Sequence, residues 1–417
     1  MGGLEVVLIG LAIVALLGVM LEEVTHISKA KITLFFGTLS WILLFIYHAP
    51  DTATVEQSLH ENIAEIANLW LFLVAAMTFV AYLNKKRLIE GMMNVLLPSH
   101  LSERQLMFMT GGFSFIFSSL ADNITATLVS VAMLIPLNLP VNKLLRYAVM
   151  VVFAVNSGGV ALITGDVTTL MIFLAGKTAI PDLLWLSLPS LISVIALAAL
   201  LSIGLNGKVT FNRNKIKVRR VDVQIAAIFL FTILMTMLGN ILYHLPPVLT
   251  FLCGLSVMFL VAHFNGENDD QNPILDYIRY IEFDTLLFFL GILLLVGMLK
   301  EISALDSLLY LYQVLPVNAA NFLFGILSSL VDNVPLTAAL LKANITMSQA
   351  DWLMLTYAVG VGGSLLVIGS AAGIVTMSKI RALTFARYAK FSLALLMCYS
   401  IGYGLVYVLT SLVIATS

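Results

Sequence analysis

Charge is what this chain has least of: Asp, Glu, Lys and Arg make up 11% of its 417 residues, where a soluble domain carries about 25%. With 60% hydrophobic residues, that scarcity excludes a solvated globular domain and predicts an all-α polytopic membrane protein with the lipid bilayer as its first partner. Cysteine is nearly absent as well. The two present, Cys253 and Cys398, sit inside apolar runs without CxxC or Cys/His spacing, which excludes a disulfide framework and a thiolate metal centre. The formal net charge is −1, so no basic field points to nucleic acid. No HExxH motif or nucleophile–base pairing stands out, so neither an enzyme nor a resident cofactor is expected. The first apolar run, Leu4 to Leu21, lacks the basic n-region and small-residue cleavage site of a signal peptide. It reads as a retained span, with Glu22 and Glu23 after it facing lipid headgroups.

Apolar runs of membrane length are abundant. A hydrocarbon core of roughly 30 Å needs about 20 residues per helix, and about ten runs qualify. They cover 4–21, 32–48, 62–83, 147–175, 184–205, 223–244, 248–264, 283–303, 355–377 and 391–414. Two further stretches, about 106–139 and 314–345, are each interrupted by an Asp-Asn pair. Sidedness follows from the basic loops. Lys208, Arg213, Lys215, Lys217, Arg219 and Arg220 mark a cytoplasmic segment. Lys29 with Lys31, Lys85 to Arg87, Lys143 with Arg146, and the basic residues from Lys379 to Lys390 should lie on the same side. The acidic stretch "DTATVEQSLHENIAE" has no Lys or Arg and is placed outside, as are both termini. Basic residues flank both ends of 106–139, so it is expected to be a re-entrant hairpin from the cytoplasm. The 314–345 stretch is then a hairpin from the opposite side.

A repeat becomes legible. Residues 1–205 hold five spans and a hairpin, residues 206–221 form a basic cytoplasmic linker, and 222–417 hold the same series. Five is odd, so the second copy should be inverted. Ser118-Ser119-Leu120 with Asp122-Asn123 match Ser328-Ser329-Leu330 with Asp332-Asn333. Gly158-Gly159, five residues and Gly165-Asp166 match Gly362-Gly363, five residues and Gly369-Ser370. An inverted repeat with paired interruptions, here two opposed hairpins and two glycine-broken helices, is the sequence pattern of a secondary transporter with its site near the midplane.

The candidate chemistry lies at those interruptions. Hairpin tips supply freed carbonyls together with Asp122, Asn123, Asp332 and Asn333, a set of hard oxygen donors suited to a small hard cation such as Na+ or Li+. "NSGGVALITGDVTT" adds Asn156, Asp166, Thr168 and Thr169, and "GVGGSLLVIGSAAG" adds Ser364 and Ser370, with the glycines expected to let the helices unwind. Close helix packing is the other use for those glycines. Asp122, Asp166 and Asp332 have no Lys or Arg in their own segments, so ionisation is costly unless a cation is bound. A site that holds protons or a metal ion, but not both, is the core of an antiporter. Thr125, Thr127, Thr168 and Thr169 could be donors or could satisfy their own helix carbonyls. Glu65 and Asp284, near the starts of equivalent helices, are secondary candidates as proton carriers.

At these residues the sequence resembles the NhaD-type sodium/proton antiporters of the ion transporter superfamily. The likeness is carried by "SSLADNITATL", "NSGGVALITGDVTT", "FDTLLFFLGILLLVGML", "SSLVDNVPLTAAL" and "GGSLLVIGSAAGIVTM", and spans most of residues 60–400. It implies a multi-pass protein of the bacterial inner membrane that exchanges Na+ or Li+ for H+. It also implies a homodimer whose transport domain moves like an elevator against a fixed scaffold. On that likeness Asp122, Asn123, Asp166, Thr168, Thr169, Asp332, Asn333 and Ser370 line the site, with Glu65, Asp284 and Thr285 assisting. "GGVALITGD" lacks the Trp and Pro that the family carries there. The alternative is a superfamily anion transporter for dicarboxylate, citrate or arsenite, whose relatives carry Ser where this chain has Asp at each tip. A channel would not need two opposed hairpins.

Overall fold

In lipid every backbone polar group has to be satisfied within the protein, so long apolar runs fold as helices, and helix ends occur only where other groups cap them. The computed structural model describes residues 3–88, 91, 98, 100–210, 219–264, 274–343 and 345–413. Long helices come first: α1 (Gly3–Met20), α2 (Lys29–His48) and α3 (Ala53–Lys85). A pair follows, α4 (Glu103–Leu120) and α5 (Asn123–Leu134), then the interrupted pair α6 (Val141–Gly159) and α7 (Val167–Leu174), then α8 (Ile180–Leu201). The second half presents the same order. Its long helices are α9 (Arg220–Tyr243), α10 (Pro247–Phe264) and α11 (Phe283–Glu301). Its pairs are α12 (Val317–Leu327) with α13 (Asn333–Lys342) and α14 (Gln349–Gly362) with α15 (Ala371–Lys379), closed by α16 (Ser392–Val413).

Among the described residues, eight helices are long and apolar enough to cross a membrane. The runs expected over 147–175 and 355–377 are each two helices in series. One boundary differs from expectation. The acidic stretch read as an outer loop is helical from Ala53, because nothing between Ala53 and Lys85 is Gly or Pro and the helix propagates through it.

The helices sort into two bundles. One holds α1–α3 with α9–α11; the other holds α4–α8 with α12–α16; they meet chiefly where α13 packs on α11. In the first bundle α2 and α11 approach to backbone contact, since a Cβ on Gly37 would lie 2.6 Å from the Gly291 carbonyl oxygen. Trp41 and Trp70 donate their indole N–H groups to the Leu294 and Leu286 carbonyls at 2.9 and 2.8 Å, fixing α11 from two sides. In the second bundle the halves exchange partners: α13 packs on α7 and α15 packs on α5. This crossing brings the second half's hairpin-like pair to the first half's interrupted helix.

Two local features depart from the sequence reading. Part of the 206–221 linker is not a free loop: Lys208–Thr210 pairs antiparallel with His100–Ser102, Leu101 opposite Val209. Glu103, at the root of α4, accepts hydrogen bonds from Lys143 Nζ and the Gly207 N–H. Arg213, Lys215 and Lys217 of that linker lie outside the described residues. Glu22 does not face headgroups alone, since its Oε1 accepts the Lys29 backbone N–H at 2.9 Å and so holds the start of α2.

Candidate functional site

Each interruption is a helix start capped by one of the singled-out residues. Asp122 opens α5, with Oδ1 accepting the Thr125 N–H at 2.9 Å and Oδ2 accepting the Thr125 hydroxyl at 2.8 Å. Asp166 opens α7 and accepts the Thr168 N–H at 3.0 Å, while Asp332 opens α13 and accepts the Val334 N–H at 3.4 Å. Ser370 opens α15 and accepts the Gly373 N–H at 3.5 Å. An N-cap oxygen satisfies a donor that the helix leaves open, and the positive end of the helix dipole favours a carboxylate there. The intramembrane acids are therefore held first by the helices they start.

Tertiary contact then makes a centre of Asp166. Its Oδ2 accepts Asn123 Nδ2 at 2.9 Å and Asn333 Nδ2 at 3.3 Å, so the amides of both Asp-Asn pairs converge on one buried carboxylate oxygen. Ser118 sets the first amide, its hydroxyl lying 2.9 Å from Asn123 Oδ1 and 2.7 Å from the Val155 carbonyl oxygen. A cavity at the boundary of the two bundles is lined by Asp122, Asn123, Asp166, Asp332 and Asn333 on one side and by Lys29 and Thr285 on the other. Behind it, Asn156 Nδ2 donates to Ser370 Oγ at 2.9 Å and ties the two interrupted helices together. Asn156 Oδ1 and Thr168 Oγ1 are buried and have no hydrogen-bond partner among the described residues.

Other singled-out residues stand apart from the cavity. Thr127, Thr169 and Ser364 direct their hydroxyls to the carbonyls of Asn123, Gly159 and Val361. Asp284 is exposed in the first turn of α11, whereas its neighbour Thr285 faces the cavity and donates to Glu282 Oε2 at 3.3 Å. Glu65 is 62% exposed and bonded to Lys342 Nζ at 2.8 Å, away from the lining.

The glycines act differently from expectation. None of Gly158, Gly165, Gly362 and Gly369 has a positive φ, so backbone freedom is not what they supply. A Cβ on Gly158 would sit 2.1 Å from the Phe115 carbonyl oxygen, and one on Gly362 would sit 2.1 Å from that of Gly325. Gly165 and Gly369 likewise abut the backbone of Ser118 and Ser329, at 2.7 and 2.5 Å. They let each interrupted helix touch the chain of the pair beside it, which is the close-packing use.

Two charged residues were not foreseen at the site. Lys29, grouped in sequence with basic loop residues, places Nζ 3.1 Å from Asp332 Oδ2 and 4.4 Å from the centre of the Phe288 ring. The three acids are thus not without a basic partner; it comes from 303 residues away. Glu282, just before α11, has its carboxyl pushed up to about 7, first by burial and then by the charge of Asp122. Nothing in the local sequence marks either one, because each acquires its neighbours only through packing.

The chain matches the family profile described as citrate transporter over residues 4–362. It is 32% identical to the Na(+)/H(+) antiporter NhaD of Alkalimonas amylolytica, over 90% of this chain and 84% of that one. It is 31% identical to the protein of the same name from Vibrio cholerae, over 92% and 87%. Sodium/proton antiporter 1 of Arabidopsis thaliana is 30% identical over 89% and 69%.

Proposed function

This chain belongs to the citrate transporter family, with the NhaD-type sodium/proton antiporters, and from that premise we propose that it exchanges cytoplasmic Na+ or Li+ for external H+. The observation that carries the proposal is the convergence of Asn123 and Asn333 on Asp166 Oδ2, with Asp122 and Asp332 lining the same cavity. A dehydrated alkali cation needs several oxygen donors and a compensating charge at one point. The carboxylates supply the charge. Asn123 and Asn333 can turn their amide oxygens inward once a cation takes the place of their N–H groups at Asp166 Oδ2, and Thr168 Oγ1 and Asn156 Oδ1 stand behind them without partners among the described residues. When no cation is present, desolvated carboxylates favour protons. Proton and metal ion therefore exclude one another, which is the condition for antiport.

The two halves, 1–205 and 222–417 joined by 206–221, form an inverted repeat on this reading, with α4–α5 and α12–α13 as opposed re-entrant hairpins. Supporting it are the shared element order and the interruptions at paired positions. The bundle of α4–α8 and α12–α16 moves against α1–α3 and α9–α11, giving alternating access at a site on their boundary. The protein is a multi-pass membrane protein; its placement in a bacterial inner membrane, with basic loops cytoplasmic, both termini outside and the chain paired as a homodimer, belongs to the proposal. Three aspartates against the single ammonium of Lys29 line the cavity. Such a surplus of negative charge repels citrate or another dicarboxylate, so the family's descriptive name does not favour an anion as substrate here.

The test is proton movement in everted membrane vesicles after addition of Na+, Li+ or K+, wild type against Asp166→Asn. Collapse of a preformed pH gradient by Na+ or Li+ in the wild type and not in the variant is expected. An Asp166→Asn protein with full sodium-dependent proton movement, at equal membrane abundance, contradicts the reading.

A further inference from the structure

We propose that Lys29 is a built-in competitor for the transported cation: its ammonium holds the Asp332 half of the site and ties α13 to α2 until the entering ion displaces it. The inference rests on the antiport reading and adds to it the residue that links occupancy to movement.

Helix α13 is held to the neighbouring bundle at both ends. At its start Asp332 pairs with Lys29 of α2 at 3.1 Å. In its last turn Lys342 donates to Glu65 Oε2 at 2.8 Å and Asn62 Oδ1 at 2.7 Å, both on α3. The two ties differ in kind. Glu65 is mostly exposed, but Lys342 is only 11% exposed and also bonds the buried Asn62; this tie lies at the far end of α13, away from the cavity, where an entering ion does not meet it. Lys29 and Asp332 have side chains only 17% and 7% exposed, and both line the cavity that holds Asp122 and Asp166. The cation the site is built for therefore meets an occupied carboxylate.

Two cations cannot share this corner. At contact distance their repulsion in a poorly solvated cavity is large, so binding of an alkali ion at Asp332 requires the ammonium to withdraw. The structure provides for the withdrawn state. Lys29 is anchored by its backbone N–H on Glu22 and already lies against the face of Phe288, where a cation–π contact stabilises the ammonium without Asp332. The other charged groups turned to this corner, Asp122, Asp166 and Glu282, with Glu22 lining a second pocket beside Lys29 and Asp332, keep the ammonium in a negative field in either position. Displacement removes the tie at the start of α13 and leaves only the one at its end. The boundary between the bundles thus loosens when the site is loaded, which couples the movement to transport and limits empty excursions.

The experiment is a Na+ titration of proton movement in vesicles at alkaline pH, where protons compete least, for wild type, Lys29→Gln and Lys29→Arg. Without the competitor, the half-saturating Na+ concentration in Lys29→Gln is expected to fall by about threefold or more, with a lower maximal rate. Lys29→Arg keeps the charge and can grip the carboxylate with two N–H groups, so its half-saturating concentration is expected at or above the wild-type value. A role in folding alone would not split the two variants in this direction. An unchanged or higher half-saturating Na+ in folded Lys29→Gln overturns the inference and leaves the antiport reading intact. A wild type that moves no protons with Na+ or Li+ removes both. If Lys29→Gln does not fold, Lys29→Cys in a Cys253→Ser background, treated after folding with aminoethyl methanethiosulfonate, restores an ammonium by disulfide formation with loss of methanesulfinate. The cationic adduct must then show a higher half-saturating Na+ than the neutral methyl adduct; equality of the two overturns the inference.

Discussion

Replacing Gly158 by Ala tests the packing that builds the site. The added Cβ would lie 2.1 Å from the Phe115 carbonyl oxygen and 2.8 Å from its carbonyl carbon. An ordinary carbon–oxygen contact needs roughly 3.3 Å, so α4 and α6 must separate by about 1.2 Å. The obstacle is backbone on a buried helix, so no side chain can rotate away. Overpacking of this kind costs about 1–3 kcal/mol. The same displacement pulls Ser118 and Asn123 away from Val155 and Asp166, whose contacts are now 2.7 and 2.9 Å, so cation affinity should fall along with stability. Gly112, on the same α4 helix, is the internal comparison: a Cβ there meets nothing within 4 Å. Gly112→Ala should be neutral, or stabilising by about 0.5–1 kcal/mol through lower backbone entropy of the unfolded chain. Thermal unfolding of purified protein in detergent, with the Na+ titration in vesicles, measures both quantities. Wild-type stability and wild-type half-saturating Na+ in Gly158→Ala would refute the close-packing account of these glycines.

Two further outcomes are expected. Asn123→Ala and Asn333→Ala each remove an amide oxygen that is to turn toward the bound cation; loss of that oxygen donor should raise the half-saturating Na+, even though each variant also loses an N–H bond to Asp166 that holds the empty site. A Na+ titration of proton movement in vesicles checks this, and an unchanged or lower half-saturating Na+ in both variants counts against it. Glu282→Gln should alter the dependence of stability on pH. The Glu282 carboxyl sits at about 7 in the folded protein against an ordinary 4.5, so the folded state keeps a proton that the unfolded chain has lost, and wild-type stability falls as pH rises through that window. The variant should match wild type at about pH 4 and exceed it above about pH 7, by at most about 3–4 kcal/mol at 1.36 kcal/mol per pH unit. Unfolding temperatures at several pH values check this, and a difference that does not vary with pH counts against it.

Much of the architecture was legible because its determinants are local. Apolar length located the spans, and an Asp or Ser set after a Gly or beside an Asn marked where helices α5, α7, α13 and α15 begin, since an N-cap acts on donors within its own first turn. Glu65 shows where local reasoning stops: its acidic stretch reads as an outer loop and its alignment with Asp284 makes it a secondary candidate, while α3 runs straight through it and its carboxylate binds Lys342. The glycines were visible as paired positions, but their use depends on how near another chain segment comes.

By itself, the sequence determined a helical membrane protein, its interruptions, and the acids and amides placed at them, all consequences of hydrophobic length and first-turn hydrogen bonding. Only the tertiary structure decided that Asn123 and Asn333 meet on one oxygen of Asp166, that Lys29 reaches Asp332, and that Glu65 stays outside. Those pairings join residues tens to hundreds of positions apart. They are set by the packing of α13 on α7 and α11, and no local periodicity encodes that packing.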